Sequence, residues 1–417
     1  MKAVFGSASE AAARVHPLGH GYGRDFWAVF AATFALNGAS NMLVLFPLFV
    51  IRLGGGPKMI GAIAAFGSAM ALMVRPGVPR VLARAGHKST VFWMLLVEAI
   101  ALALYAPLHS IGVPIFAVRG IHGAAEGTMR VALFSMLFSL LPEGRHGEAM
   151  TIFSLNGMMP AAFAPMLGEE IIRHFGFTAF FATAVAMCLI GAGAMTMVSK
   201  DVESRRESSS AALTAAPKLR ALIFDRKLLP VWIATLLFSA TVVSRINFVT
   251  PLASQRHVAQ VGWYFVTYSA AAIAVRLSCG RLIDRIGIER VLAPSLFALG
   301  VGIALISRTG RPGTLELAGV IGGLGHGLSY PALSVLVIRR THGAATGRTS
   351  AIYTSLFDIA AMIAPYVFGV IASRIGYGSM FLVAGSCALA AGAYVVIAEP
   401  AVLRRHLAGD APAGPSQ

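Results

Sequence analysis

The sequence predicts an all-α integral membrane protein with twelve transmembrane helices, arranged as two six-helix bundles related by a pseudo-twofold axis. Composition is the first reason. The 417 residues are 57% hydrophobic and 12% charged, with a mean hydropathy of +0.74, whereas a soluble domain carries about 25% charged residues. Run length is the second, because many apolar stretches reach the roughly 20 residues that cross a bilayer. The third is a repeat. Residues 74–88 read VRPGVPRVLARAGHK and residues 275–289 read VRLSCGRLIDRIGIE, so Arg75, Arg80, Arg84 and Gly86 return as Arg276, Arg281, Arg285 and Gly287, each 201 positions on. Gly61 likewise returns as Gly262, Pro165 as Pro365 and Gly176 as Gly376. An apolar chain made of two parallel copies marks a transporter with its solute site between the halves.

The elements follow in order. Residues 1–24 are polar and Gly-rich, without the apolar core of a signal peptide. Six apolar helices are expected over 25–51, 58–75, 89–107, 112–140, 148–171 and 177–198, giving a first bundle over 25–198. Residues 199–228 hold Ser208, Ser209, Ser210, Pro217 and mixed charges, and read as a cytoplasmic linker. Six more helices are expected over 229–252, 261–279, 289–307, 314–338, 348–372 and 377–398, giving a second bundle over 229–398 and a tail over 399–417. Pro47 and Pro251 sit near the far ends of the first and seventh helices and should kink or finish them.

The net charge of +16 does not indicate a nucleic-acid partner, because the basic residues crowd into short loops between apolar segments. That is the topology signal of a membrane protein, and it places both termini in the cytoplasm. The expected location is a bacterial inner membrane, with the chain multi-pass and monomeric. Cys188, Cys279 and Cys387 lie in or beside apolar segments without metal-ligand spacing, so neither a metal nor a cofactor is expected. No GxxxxGK[ST] phosphate loop occurs, and no stretch is long enough for a soluble ATPase, catalytic or sensor domain. The chain therefore does not read as an enzyme or receptor, and energy should come from a gradient.

Gly280-Arg-Leu-Ile-Asp284-Arg285-Ile-Gly287, between the eighth and ninth helices, resembles the GxxxDRxG loop of the major facilitator superfamily. Glycine allows the tight turn, and Asp284 can cap a helix or hold an inward gate by pairing with an arginine. The first copy keeps Arg80, Arg84 and Gly86, but Ala83 stands where the aspartate belongs and Pro79 replaces the first glycine. Arg119-Gly-Ile-His122-Gly123 resembles the RxxQG motif of the drug-and-metabolite proton antiporter branch, with His122 for glutamine. Ala164-Pro165-Met-Leu-Gly168 resembles that branch's exporter motif GPxxG, with alanine for the first glycine. SLNGM over 154–158 and FDIA over 357–360 are similar to a bacterial subgroup linked to sugar or drug efflux, and the VRP and ARAG segments to metallophore exporters. The resemblance spans nearly the whole chain and implies a proton-coupled exporter of a small organic molecule.

Ionisable groups inside a bilayer are expensive and are functional candidates by default. Arg119, His122, Glu126 and Arg130 fall on one face of the fourth helix, at i, i+3, i+7 and i+11. His326 and Tyr330 take the corresponding places in the tenth helix. Asp358 lies in the eleventh, with no partner evident in the sequence, and Arg245 in the seventh; Asn37 and Asn41 are one turn apart in the first. Glu126 and Asp358 are the candidate proton carriers, with Arg119 as counter-charge and His122 or His326 as relay. Arg130, Arg245, Tyr330, Asn37 and Asn41 are the candidate solute contacts, and the cavity arginines suggest an anionic or zwitterionic solute. Glu126 and Arg130 also admit a plain structural ion pair, and Arg245 a side chain reaching for headgroups. Glu98 reads as structural, and Glu169 and Glu170 as solvated. The competing function is an importer of a sugar or organic acid on the same fold.

Overall fold

A computed structural model describes residues 22–140, 146–199, 219–286, 288–341 and 345–409. Among these residues the long elements are all helices, eight of them long and apolar enough to cross a membrane. α1 covers Arg24–Arg52, α2 Pro57–Val74, α3 His87–Tyr105 and α4 Val113–Ser139. The helix His146–Thr196 is broken at Gly176, with φ 77°, into α5 (146–175) and α6 (177–196). α7 is Leu229–Gln255, α8 Gly262–Ile286, α9 Ile288–Leu305 and α10 Thr314–Arg339. Ala345–Gly409 breaks in the same way at Gly376, with φ 81°, into α11 (345–375) and α12 (377–409). Positive φ is open to glycine and strained for other residues, which explains why this residue recurs in both copies.

Prolines shape the ends. In α1 the helix Arg24–Met42 tightens into a 3-10 turn over Leu43–Leu45 and restarts as Phe46–Arg52. Pro47 has no N–H for the carbonyl of Leu43, so the break falls one turn ahead of it. Pro251 lies inside α7, which runs on to Gln255. The two copies diverge after α2. Pro76 and Pro79 cut the first copy into a 3-10 turn over Arg75–Gly77 and a short helix over Val78–Ala85. The second copy lacks both prolines, and α8 continues to Ile286 rather than ending near 279.

Glycines set the packing. A β-carbon on Gly123 would lie 2.1 Å from the Gly67 carbonyl, and one on Gly323 would lie 2.2 Å from the Tyr268 carbonyl. The same close approach thus seats α4 on α2 and α10 on α8. Lipid tails are as apolar as leucine, so such contacts, rather than a hydrophobic drive, hold membrane helices together. Aromatic rings fill the first bundle, where Tyr105 lies 4.8 Å from Phe46 and 5.3 Å from Phe181. Ile190, Leu277 and Ile397 are exposed outside, a surface suited to lipid.

The halves meet along α2–α11 and α5–α8. At the end bearing the α1–α2 and α7–α8 turns they touch backbone to backbone. A β-carbon on Gly61 would lie 2.1 Å from the Pro365 carbonyl, and one on Gly262 would lie 2.7 Å from Met166 Cα. There Thr250 of α7 also donates to the Val44 carbonyl of α1, at 3.2 Å.

Candidate functional site

Between the halves lies a cavity of about 650 Å³, within the range that holds a small organic molecule. Its wall includes Asn37, Asn41, Arg119, His122, Glu126, Arg130, Arg245, His326 and Tyr330, nine of the ten predicted intramembrane candidates. Asp358 is not in the wall.

On the α4 side, Arg130 pairs with Glu126 one turn away, so the local ion pair does form. Arg130 remains 54% exposed to the cavity and Glu126 21%, so solute and solvent can reach both. Arg119 lies nearer the start of α4, 5.8 Å from the Phe46 ring centre, with no hydrogen-bond partner for its Nε among the described residues. Asn41 donates to the Asn37 carbonyl at 2.8 Å. Asn37 is committed to structure, because its Nδ2 lies 3.2 Å from both the Asn156 carbonyl and Oδ1. Pro160, four residues after Asn156, cannot supply the helical N–H to that carbonyl, and Asn37 takes its place.

On the opposite side, Arg245 is buried rather than reaching for headgroups. Its guanidinium stacks 4.1 Å from the Tyr268 ring centre. Tyr268 in turn places its hydroxyl 2.7 Å from His326 Nδ1. Arg276, which the sequence places near the end of the eighth helix beside the basic loop motif, belongs to this group. Its Nε donates to the Gly327 carbonyl at 3.1 Å, the acceptor that Pro331 leaves without a helical donor. Its guanidinium also lies 5.8 Å from the Tyr330 ring centre. The cavity wall therefore carries four arginines against one carboxylate, Glu126.

Asp358 does have a partner. Arg75 of the other half forks onto it, with Nη2–Oδ1 at 2.8 Å and a second contact from Nη1. Arg130 adds its charge at Asp358 from the cavity side. Arg75 is the last residue of the expected second helix, and nothing local in the sequence links it to α11; it opens the 3-10 turn Arg75–Gly77, from which it reaches Asp358. Glu169 is not simply solvated either. Its carboxylate accepts the backbone N–H groups of Val261, at 3.0 Å, and Gly262, at 2.7 Å, capping α8 from α5 across the halves. Glu170 pairs with Arg173 near its own helix end. Arg80 and Arg84 are exposed on the short helix Val78–Ala85, which Gly86 terminates at φ 76°. Gly280, Asp284 and Arg285 fall on the last turns of α8, and Gly287 lies outside the described residues.

Two helical bundles around a polar cavity, with apolar outer flanks, have the architecture of a multi-pass membrane protein. The chain belongs to the Major Facilitator Superfamily, whose model matches residues 28–259 and 246–415. It is similar to an uncharacterised MFS-type transporter of Salmonella typhimurium, 31% identical over 37% of this chain and 38% of that protein. It resembles the multidrug resistance protein MdtG of Dickeya zeae, 23% identical over 59% of this chain and 62% of that one. It also resembles the staphylopine export protein of Staphylococcus aureus, 19% identical over 84% and 89%. The matched regions thus span 38% and 62% of the first two relatives. Among solved structures, the nucleoside transporter NupG superposes with a TM-score of 0.76 at 15% identity, covering 89% of this chain and 98% of that one. A POT family transporter superposes with a TM-score of 0.72 at 14% identity, covering 91% and 96%.

Proposed function

We propose that the protein is a secondary active transporter that exports a small zwitterionic organic solute in exchange for protons, by alternating access between the two bundles. The cavity carries the reading. Arg245 and Arg276 form a cationic pole on the second bundle, while Glu126 gives the first bundle an anionic point. A solute carboxylate suits the first pole, and a solute ammonium suits Glu126. The sign of coupling follows. An ammonium seated on Glu126 needs the carboxylate ionised, so solute and proton exclude each other and must travel in opposite directions. The relatives named for multidrug resistance and for staphylopine export fit efflux.

The cationic surplus also supports a second reading. A solute with negative charge alone would bind together with the proton, which is the arrangement of an importer of organic acids. The NupG and POT structures share the fold, which serves nucleoside and peptide transport as well. In either reading the carrier works as a monomer in a bacterial inner membrane with both termini in the cytoplasm, as its loop arginines and lysines favour.

Proteoliposomes with an imposed pH gradient test the proposal. Glu126→Gln should abolish gradient-driven movement, and Asp358→Asn should reduce it. Full activity in both variants would rule out proton carriage by these carboxylates. Inverted vesicles with an acid interior accumulate solute only if the carrier is an exporter.

A further inference from the structure

We infer that Glu98 and His122 form a second protonation site, sealed inside the first bundle and reached from the cavity through the His122 ring. Glu98, on α3, is 0% exposed, and neither of its carboxylate oxygens has a hydrogen-bond donor among the described residues. Its nearest polar neighbour is His122 Nε2, 3.0 Å from Oε1 but off the line of a hydrogen bond. His122 is 1% exposed and is one of the residues that border the cavity. On its other side, Nδ1 lies 3.3 Å from the buried Tyr105 hydroxyl and 3.5 Å from Arg119 Nη1. The other groups whose charge is felt here are Glu126 and Arg130 of α4, and the buried Cys188 thiol of α6 adjoins Glu98.

An ionised carboxylate without donors costs several kcal/mol in such an interior, and an apolar residue of like volume would avoid that cost. The pair therefore holds one proton between its members in its resting form. Release takes two balanced steps. The carboxylic O–H bond breaks as Nε2 gains the proton, giving carboxylate and imidazolium. The imidazolium then loses the Nδ1 proton to cavity water, leaving neutral imidazole and the Glu98 carboxylate, with the Arg119 guanidinium on the far side of the ring, 3.5 Å from Nδ1. Sequence alone points to Glu98 as structural, because α3 lies at the bundle margin. What distinguishes it is histidine at the glutamine place of the RxxQG-like segment, since glutamine cannot pass a proton in this way. A solute ammonium near Glu126 would favour the release, and that coupling role rests on the proposed proton-driven transport.

The test needs no solute. Purified protein in nanodiscs is titrated with acid while the infrared carboxylic-acid carbonyl band is followed, alongside the ¹⁵N resonance of labelled His122. The expected result is a pH-dependent band that is lost in Glu98→Gln, kept in Glu126→Gln and kept with a displaced midpoint in Glu98→Asp. In the wild type, the Nε2 resonance should move with the same midpoint as the band. An unchanged band in Glu98→Gln overturns the assignment, and so does a His122 resonance that titrates independently of the band in wild-type protein, a measurement that does not depend on any variant folding. If the band belongs to Glu98 while solute accumulation ignores a pH gradient, the protonation site stands and the proton-driven reading of transport falls.

Discussion

Arg75 of the first half forks onto Asp358 of the second, and its repeat mate Arg276 makes the mirrored reach onto Met158, the residue 200 positions before Asp358. One axis thus relates an ion pair to a guanidinium–thioether contact, with Arg276 Nη1 3.3 Å from Met158 Sδ. The strength of the seam at this end of the cavity is one-sided. The opposite end reverses the bias. There Glu169 ties α5 to α8 by two hydrogen bonds, while α2 and α11 meet at Gly61, Gly369 and Pro365.

Restoring the missing charge should therefore hold this end shut. Met158→Asp places a carboxylate against Arg276, and each 1.4 kcal/mol gained by the closed form slows its opening about tenfold. The check is the distribution of spin-label distances between positions 84 and 290, which should narrow toward the short value. Asp358→Asn added to Met158→Asp should widen it again.

Arg245 should be intolerant of lysine. The Arg245 guanidinium lies over the Tyr268 ring, 4.1 Å from its centre, whereas an ammonium is a point charge that keeps its hydration. A loss of about 1–2 kcal/mol, roughly tenfold in affinity, is expected for Arg245→Lys, and more for Arg245→Ala. Thermal shifts across a panel of small zwitterions would report it, with the unliganded Tm as control.

Glu169→Gln removes the charge that caps α8. Amide exchange at Val261 and Gly262 should accelerate by about one order of magnitude, consistent with about 1 kcal/mol for a cap.

Gly123→Ala and Gly193→Ala form a matched pair. At 123 the new methyl would meet the Gly67 backbone at 2.1 Å, while at 193 nothing lies within 4 Å. The first should destabilise by about 1–3 kcal/mol through separation of α4 from α2. The second, on an exposed helical face, should be neutral or stabilise by up to about 1 kcal/mol. Denaturation in detergent micelles distinguishes them.

The fold was legible because the bilayer demands long apolar runs, and because a duplicated chain keeps its turn glycines, as at Gly176 and Gly376. The α4 face was legible for a similar reason, since helical spacing alone puts Arg119, His122, Glu126 and Arg130 in one line. Contacts across the halves were not. Nothing local joins Arg75 to Asp358 or Glu169 to Gly262, which lie 283 and 93 positions apart. Arg276 was hidden by its place beside a basic loop motif. The signal that could have found it is proline, because Pro331 promised an unpaired carbonyl at Gly327 and hence a need for some donor there. Glu98 was hidden by the assumption that a marginal helix is mute.

The single-residue breaks at Gly176 and Gly376 also have a mechanical consequence. α5 and α11 are among the helices that touch the opposite half, and each is coupled to its successor by one glycine with no slack between them. A tilt imposed at the central seam is therefore handed at once to the rim helices α6 and α12, which press on lipid. If the bundles rock as proposed, the thickness and lateral pressure of the surrounding bilayer would act as a load on that lever, and the rate of rocking would belong to the membrane as much as to the protein.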